Sequence, residues 1–107
     1  MYKFKSKADG DVLMLAANGD QLLRLIGKEP GAQGIIEVAV MPAAIAALEH
    51  AVAVAEAARK QAEKEAAAQG HPAPSHETGV SLRQRAWPLL EMLKRSHAEN
   101  AVVVWGV

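Results

Sequence analysis

Residues 41–68 read MPAAIAALEHAVAVAEAARKQAEKEAAA, and this stretch decides the architecture of the chain. Its large apolar residues recur at steps of four and three, the spacing of one face of an α-helix: Met41, Ile45, Leu48 and Val52. At 1.5 Å per residue this helix extends about 42 Å, whereas a compact domain of this chain length has a diameter of about 34 Å. We therefore expect the part after Ala58 to be exposed or to pair with another chain.

The same helix face continues beyond Val52 in small side chains and one arginine. Its members follow the same alternating steps: Ala55, Arg59, Ala62 and Ala66. Glu49, Glu56 and Glu63 repeat every seven residues along one flank, as in a coiled coil. The pattern predicts an oligomer interface on this face. The alternative is a solvated second half that is stabilised by pairs within the helix, such as Glu56 with Lys60.

The N-terminal residues predict a β-hairpin. Residues 2–7 alternate between apolar side chains and three lysines, which indicates a half-buried strand. Asp9-Gly10 is a strong signal for a two-residue turn, which would place Phe4 opposite Leu15. The lysines favour an edge position for the first strand, and the second strand is apolar on both faces, which is typical of a central one.

The remaining segments predict two further helices and one strand. Asn18 or Asp20 caps a helix that ends at Gly27, and residues 35–36 form a short buried patch or a brief extended piece. Ser81 and Gln84 form a capping box for a last helix, which Pro88 should kink or split. Residues 101–107, AVVVWGV, indicate a buried strand.

The layout β-β-α-α-α-β predicts an α+β fold. We expect a three-stranded, mainly antiparallel sheet with helices packed on one face and one long Ala-rich helix. Residues 1–107 should form a single domain, with a flexible loop rich in Pro, Gly and His at about 69–79.

Composition excludes several classes of protein. Twelve basic and twelve acidic residues give a formal net charge of zero, which argues against binding to nucleic acid or to an acidic membrane. The chain has no Cys, so disulfides and thiolate metal sites are absent. The N-terminus is charged where a secretory signal needs an apolar stretch. Ala is the commonest residue of the apolar span 38–58, and it contributes little to membrane insertion. We expect a soluble, cytoplasmic protein with no membrane or nucleic-acid partner.

The start of the last helix is a candidate anion site. A helix N-terminus presents backbone N–H groups and the positive end of the helix dipole to an anion. Ser81, Arg83 and Arg85 would hold the ligand, and Arg83 lies four residues before Trp87, where its guanidinium could stack on the indole. The alternative is a solvated polar face.

The sequence gives little support for a metal site or for a catalytic motif. His71, His76 and Glu77 are weak candidates for a metal site, because a Pro-containing loop does not preorganise three ligands. Neither a G-x-S-x-G motif nor a glycine-rich phosphate loop occurs, and Gly34 has no specific role in the pattern. We expect no catalytic residue and no cofactor.

Several motifs in order resemble one known family. The segments are MYKFKSKADGDVLML, LLRLIGKEPGAQGII, MPAAIAALEHAV, VSLRQRAWPLLEMLKRS and VVVWGV. Together they resemble the small bacterial proteins of domain-of-unknown-function family 1840. The resemblance implies a compact, cytoplasmic bacterial protein, and it implies no activity, cofactor or catalytic residue.

The sequence therefore favours a non-enzymatic protein that associates with itself or with a protein partner through the long helix. Binding of a small molecule or anion at residues 81–85 is the alternative, and weak metal binding at His71, His76 and Glu77 is the second alternative.

Overall fold

The computed structural model describes residues 1–70 and 81–107. The strands are β1 (Tyr2–Ser6), β2 (Asp9–Met14), β3 (Gly34–Ile36) and β4 (Val103–Trp105). The helices are α1 (Ala16–Leu25), α2 (Met41–Ala68) and α3 (Leu82–Ala98), and a 3-10 turn (Val38–Val40) leads into α2. This is the predicted α+β class with three helices and an antiparallel sheet. The predicted loop at 69–79 lies largely outside the described residues.

The sheet has four strands in the order β2-β1-β4-β3, so the prediction of three strands was wrong. The additional strand is β3, which pairs with β4 so that Gly34 lies opposite Trp105 and Ile36 opposite Val103. A segment of three residues is too short to show the alternation that identifies a strand in a sequence.

The predicted positions of the first two strands in the sheet were also wrong. β1 is internal despite its lysines, and β2 is an edge strand.

The hairpin differs from its predicted register by three residues. The turn consists of Lys7 and Ala8, and Phe4 lies opposite Val12 instead of Leu15. Asp9 and Gly10 belong to β2, next to a register shift of the bulge type. Because side chains alternate between the two faces of a strand, a register shift by an odd number of residues moves every β2 side chain to the opposite face of the sheet. Leu13 is consequently 61% exposed.

Three of the four aromatic residues form a row on the buried face of the sheet. Tyr2 stacks on Phe4 with ring centroids 5.6 Å apart, and Phe4 meets Trp105 edge-on at 5.8 Å. Phe4 is fully buried and Trp105 is 3% exposed. The Trp105 indole Nε1 donates a hydrogen bond of 3.0 Å to the Gly31 carbonyl. The row therefore joins β1 to β4 and fixes the loop before β3.

Each end of the aromatic row rests on a glycine. A Cβ added to Gly34 would lie 2.0 Å from the Trp105 ring, and one added to Gly19 would lie 2.0 Å from the Tyr2 ring. Real Cβ atoms do not approach other atoms so closely, so both positions exclude a side chain unless the rings move. This contact is the role of Gly34 that the sequence pattern did not reveal.

The start of α1 was also predicted wrongly. The helix begins at Ala16 with Leu15 as its N-cap, and Asn18 lies inside it. Asp20 instead accepts a hydrogen bond from the Tyr2 hydroxyl. This hydrogen bond is the main cause that raises the pKa of Tyr2, with smaller contributions from burial and from the Asp20 charge.

The helices cover one face of the sheet. α3 lies close to β2, β1 and β4, and α2 packs chiefly against α3 and also contacts α1. On the other face of the sheet, Lys3, Leu13 and Ile35 are exposed. One core cluster joins the two layers, and the fully buried side chains of its helices include Leu22, Leu48, Leu89 and Leu93.

The helix α3 confirms the predicted capping box. The Ser81 hydroxyl accepts a hydrogen bond from the Gln84 N–H at 3.2 Å, and the Gln84 side chain accepts one from the Ser81 N–H at 3.0 Å. Pro88 lies inside the helix, which is continuous from Leu82 to Ala98, so the predicted split does not occur. The buried Ser96 hydroxyl lies 2.7 Å from that of Ser6, which links α3 to the hairpin.

We predict that Gly34→Ala destabilises the fold by about 1–3 kcal/mol, the usual cost of overpacking, because the new methyl group would collide with the Trp105 ring. Gly10→Ala is the matched control, since no atom lies within 4 Å of its added Cβ. Urea unfolding of both variants would measure the difference. An equal loss in the two variants would contradict the role assigned to Gly34.

Candidate functional site

Helix α2 extends well beyond the core of the molecule. Its buried residues are Met41, Ala44, Leu48 and Val52, so none of residues 53–68 is buried among the described residues. The described part of the molecule measures 51 × 25 × 22 Å and its radius of gyration is 15.9 Å, compared with about 13 Å for a compact chain of this length. We call residues 59–68 the overhang. It agrees with the helix length that the sequence predicted.

The predicted interface residues follow the same side of α2 as the core residues. Ala55, Ala62 and Ala66 are half-buried and Arg59 is exposed. The Arg59 Nε atom lies 3.9 Å from the Glu63 carboxylate one turn further on. Exposed pairs of this kind are worth about 0.3–0.5 kcal/mol. The overhang is thus stabilised mainly by its own backbone and by local side-chain pairs.

The stretch Val38–Ala68 is long and apolar enough to cross a membrane, judged by length and composition alone. Its most apolar window has a mean hydropathy of 1.8, and 22% of that window is buried inside the protein. This is weak support for a membrane span, because helices of soluble cores satisfy the same criteria. Here Met41, Leu48 and Val52 hold the first half of the helix in the protein core.

Two ion pairs join α2 to α3. The Arg83 guanidinium binds the Glu56 carboxylate through two nitrogens, and Arg83 Nη2 lies 3.2 Å from Glu56 Oε2. At the other end, Lys94 Nζ lies 3.5 Å from Glu49 Oε2. The Arg83 hydrogen bond is the main cause that lowers the pKa of Glu56, and the same bond raises the pKa of Arg83. Two members of the Glu49–Glu56–Glu63 repeat therefore bind α3.

A groove of about 220 Å³ lies between these two ion pairs. Val52 and Leu90 form its apolar part, and Trp87 borders it with 48% of its surface exposed. The sequence predicts Trp87 as a possible stacking partner of Arg83, whose guanidinium binds Glu56. No signal in the sequence indicates the groove, because its α2 and α3 residues are far apart along the chain.

The residues of the predicted anion site have partners within the chain. Ser81 belongs to the capping box, and Arg83 binds Glu56 of α2. Arg85 donates to the Gln21 side chain of α1. The two arginines are two residues apart on α3 and contact different helices. The structure does not bring their guanidinium groups together on one ligand position, and anion binding there stays a prediction.

The predicted metal ligands His71, His76 and Glu77 lie outside the described residues. Within residues 1–70 and 81–107, no three His, Asp or Glu side chains are grouped closely enough to hold a metal ion. His50 and His97 are both exposed.

We predict that the Glu56–Arg83 pair stabilises the protein at neutral pH and that this stabilisation is lost at acidic pH. The pKa of Glu56 is lowered from its usual value of 4.5, so its contribution is present above pH 4.5 and is lost as the pH falls through the lower, folded-state pKa. The difference in Tm between wild type and Glu56→Gln should therefore shrink as the pH is lowered from about 7 to about 3. A difference that stays constant over this range would contradict the assignment.

Comparison with known proteins gives one match. A family model described as "Domain of unknown function (DUF1840)" matches residues 1–105. No curated protein and no solved structure matches the chain.

Proposed function

This chain belongs to the DUF1840 family, a domain of unknown function, and we propose that it is a non-enzymatic module that associates with a second copy through the overhang of α2. The observation that carries this proposal is the absence of any buried residue after Val52 in a helix that continues to Ala68. A helix of this length is not needed to complete the core that it enters.

The composition of the predicted interface supports a contact between helices. Alanines at 55, 62 and 66 allow two helix backbones to approach more closely than large side chains would. They follow the alternating steps of four and three that place residues on one seam. The buried area would be modest, so the proposed association is weak and depends on protein concentration.

The charges on this seam favour an antiparallel arrangement of two copies. Arg59 and Glu63 are one turn apart in the overhang. If two overhangs cross near residue 61 in opposite directions, each Arg59 lies beside Glu63 of the partner. Opposite charges across such a seam select the orientation and register of the partner helix.

We predict that Ala62→Glu combined with Ala66→Glu weakens self-association at least about tenfold, a change of about 1.4 kcal/mol, because it places two carboxylates on the seam. The measurement is sedimentation equilibrium or light scattering over a range of concentrations, compared with the monomer mass of 11.4 kDa.

Ala57→Glu combined with Ala68→Glu is the matched control. Both residues are exposed, and at about 100° per residue they lie on the opposite side of the helix. The control adds the same two charges to the same helix and should associate like wild type. Equal weakening in both double variants, or a wild-type chain that stays monomeric at every concentration, would refute the proposal.

A further inference from the structure

The face formed by α2 and α3 around Trp87 is separate from the overhang and carries its own arrangement of charged side chains. We call it the Trp87 face and define it by Glu49, Ala53, Glu56, Arg83, Trp87 and Lys94. Trp87 is 48% exposed, whereas Leu90, three residues further along α3, is 6% exposed. Tryptophan is among the residues that contribute most to binding when they are buried at the centre of an interface.

The charges on this face are divided between the two helices. Both acids, Glu49 and Glu56, belong to α2, and both bases, Arg83 and Lys94, belong to α3. The two helices run in opposite directions, because Arg83 binds Glu56 and Lys94 binds Glu49. The face therefore has an acidic side and a basic side that run parallel to the helices, with Trp87 and the groove between the two ends.

This division makes the face complementary to itself. Two copies can be related by a two-fold axis that lies in the interface and runs parallel to the helices. This axis places the α2 side of one copy opposite the α3 side of the other, and each end of the face stays opposite the same end of the partner. The acidic side of each copy then covers the basic side of the other, and Glu49 of each copy lies beside Lys94 of its partner. Each indole lies over the α2 row of the partner near Ala53, an exposed and small residue that leaves room for it.

We infer that the Trp87 face binds a second copy of this chain, with the α2 helices of the two copies parallel. A two-fold axis that lies in the interface but runs perpendicular to the helices would place the acidic sides of the two copies opposite each other, and likewise the basic sides. Such like-charge contacts are unfavourable. A two-fold contact uses the same patch on both copies, as this charge pattern requires. The inference does not rest on the proposed role of the overhang, because the two contacts use different residues.

The decisive experiment uses two charge-reversal variants, Glu49→Lys and Lys94→Glu. Both are made in the background of Ala62→Glu with Ala66→Glu, so that the overhang does not contribute. Each variant alone places like charges across the interface and should associate at least about tenfold more weakly than the background protein. An equimolar mixture should recover association, because each contact between positions 49 and 94 of the two copies then joins a lysine of one variant to a glutamate of the other.

The mixture separates contacts between chains from contacts within a chain. Inside each variant the pair between positions 49 and 94 remains mismatched, so a purely intramolecular role of these charges gives no recovery on mixing. Energy transfer between differently labelled variants, or sedimentation velocity, would measure the association. Failure of the mixture to associate more tightly than either variant alone would overturn the inference.

Trp87→Ala tests the centre of the face. It should weaken association of the background protein at least about tenfold, whereas Leu13→Ala, which removes another exposed apolar side chain from the far face of the sheet, should leave it unchanged. Circular dichroism would verify that both variants are folded. Equal effects of the two substitutions would overturn the inference. If Ala62→Glu with Ala66→Glu leaves self-association unchanged while Trp87→Ala abolishes it, the proposed function fails and this inference stands.

Discussion

The fold depends on the contact between the aromatic row and two glycines. Tyr2, Phe4 and Trp105 come from the two ends of the chain, and their rings meet because β1 and β4 are neighbours. The outer rings lie directly over the backbone of Gly19 and Gly34. A ring can approach the backbone this closely only where the residue has no Cβ. The row therefore determines where α1 and β3 lie relative to the central strands.

Most of the helical layer could be predicted from the sequence, because its signals are local. The spacing of apolar residues indicated the length of α2, and Ser81 with Gln84 indicated the start of α3. The sheet was harder, since its decisive features join distant parts of the chain. Asp9-Gly10 suits a bulge as well as a turn, and the observed register places the half-buried Val12, not Leu13, on the core side of the sheet.

In the candidate site, too, the local features could be predicted from the sequence and the tertiary contacts could not. The overhang follows from helix length and domain size, two quantities that the sequence supplies. The partner of Arg83 could not be predicted in this way, because Glu56 is 27 residues away and meets it only through the packing of α2 on α3. The groove beside Trp87 likewise exists only after the helices have docked. Residues that matter through tertiary contacts give no periodic signal of their own.

The uneven burial of α2 has a consequence for its dynamics. Unwinding the last turns of this helix exposes almost no apolar core, whereas unwinding the turns around Leu48 exposes side chains that are buried in the core. Amide protons in one continuous helix should therefore exchange with solvent at very different rates, fast near Glu65 and slow near Leu48. Local opening of the distal turns would also expose the peptide bonds near Lys60 and Lys64 to trypsin while the rest of the domain stays intact.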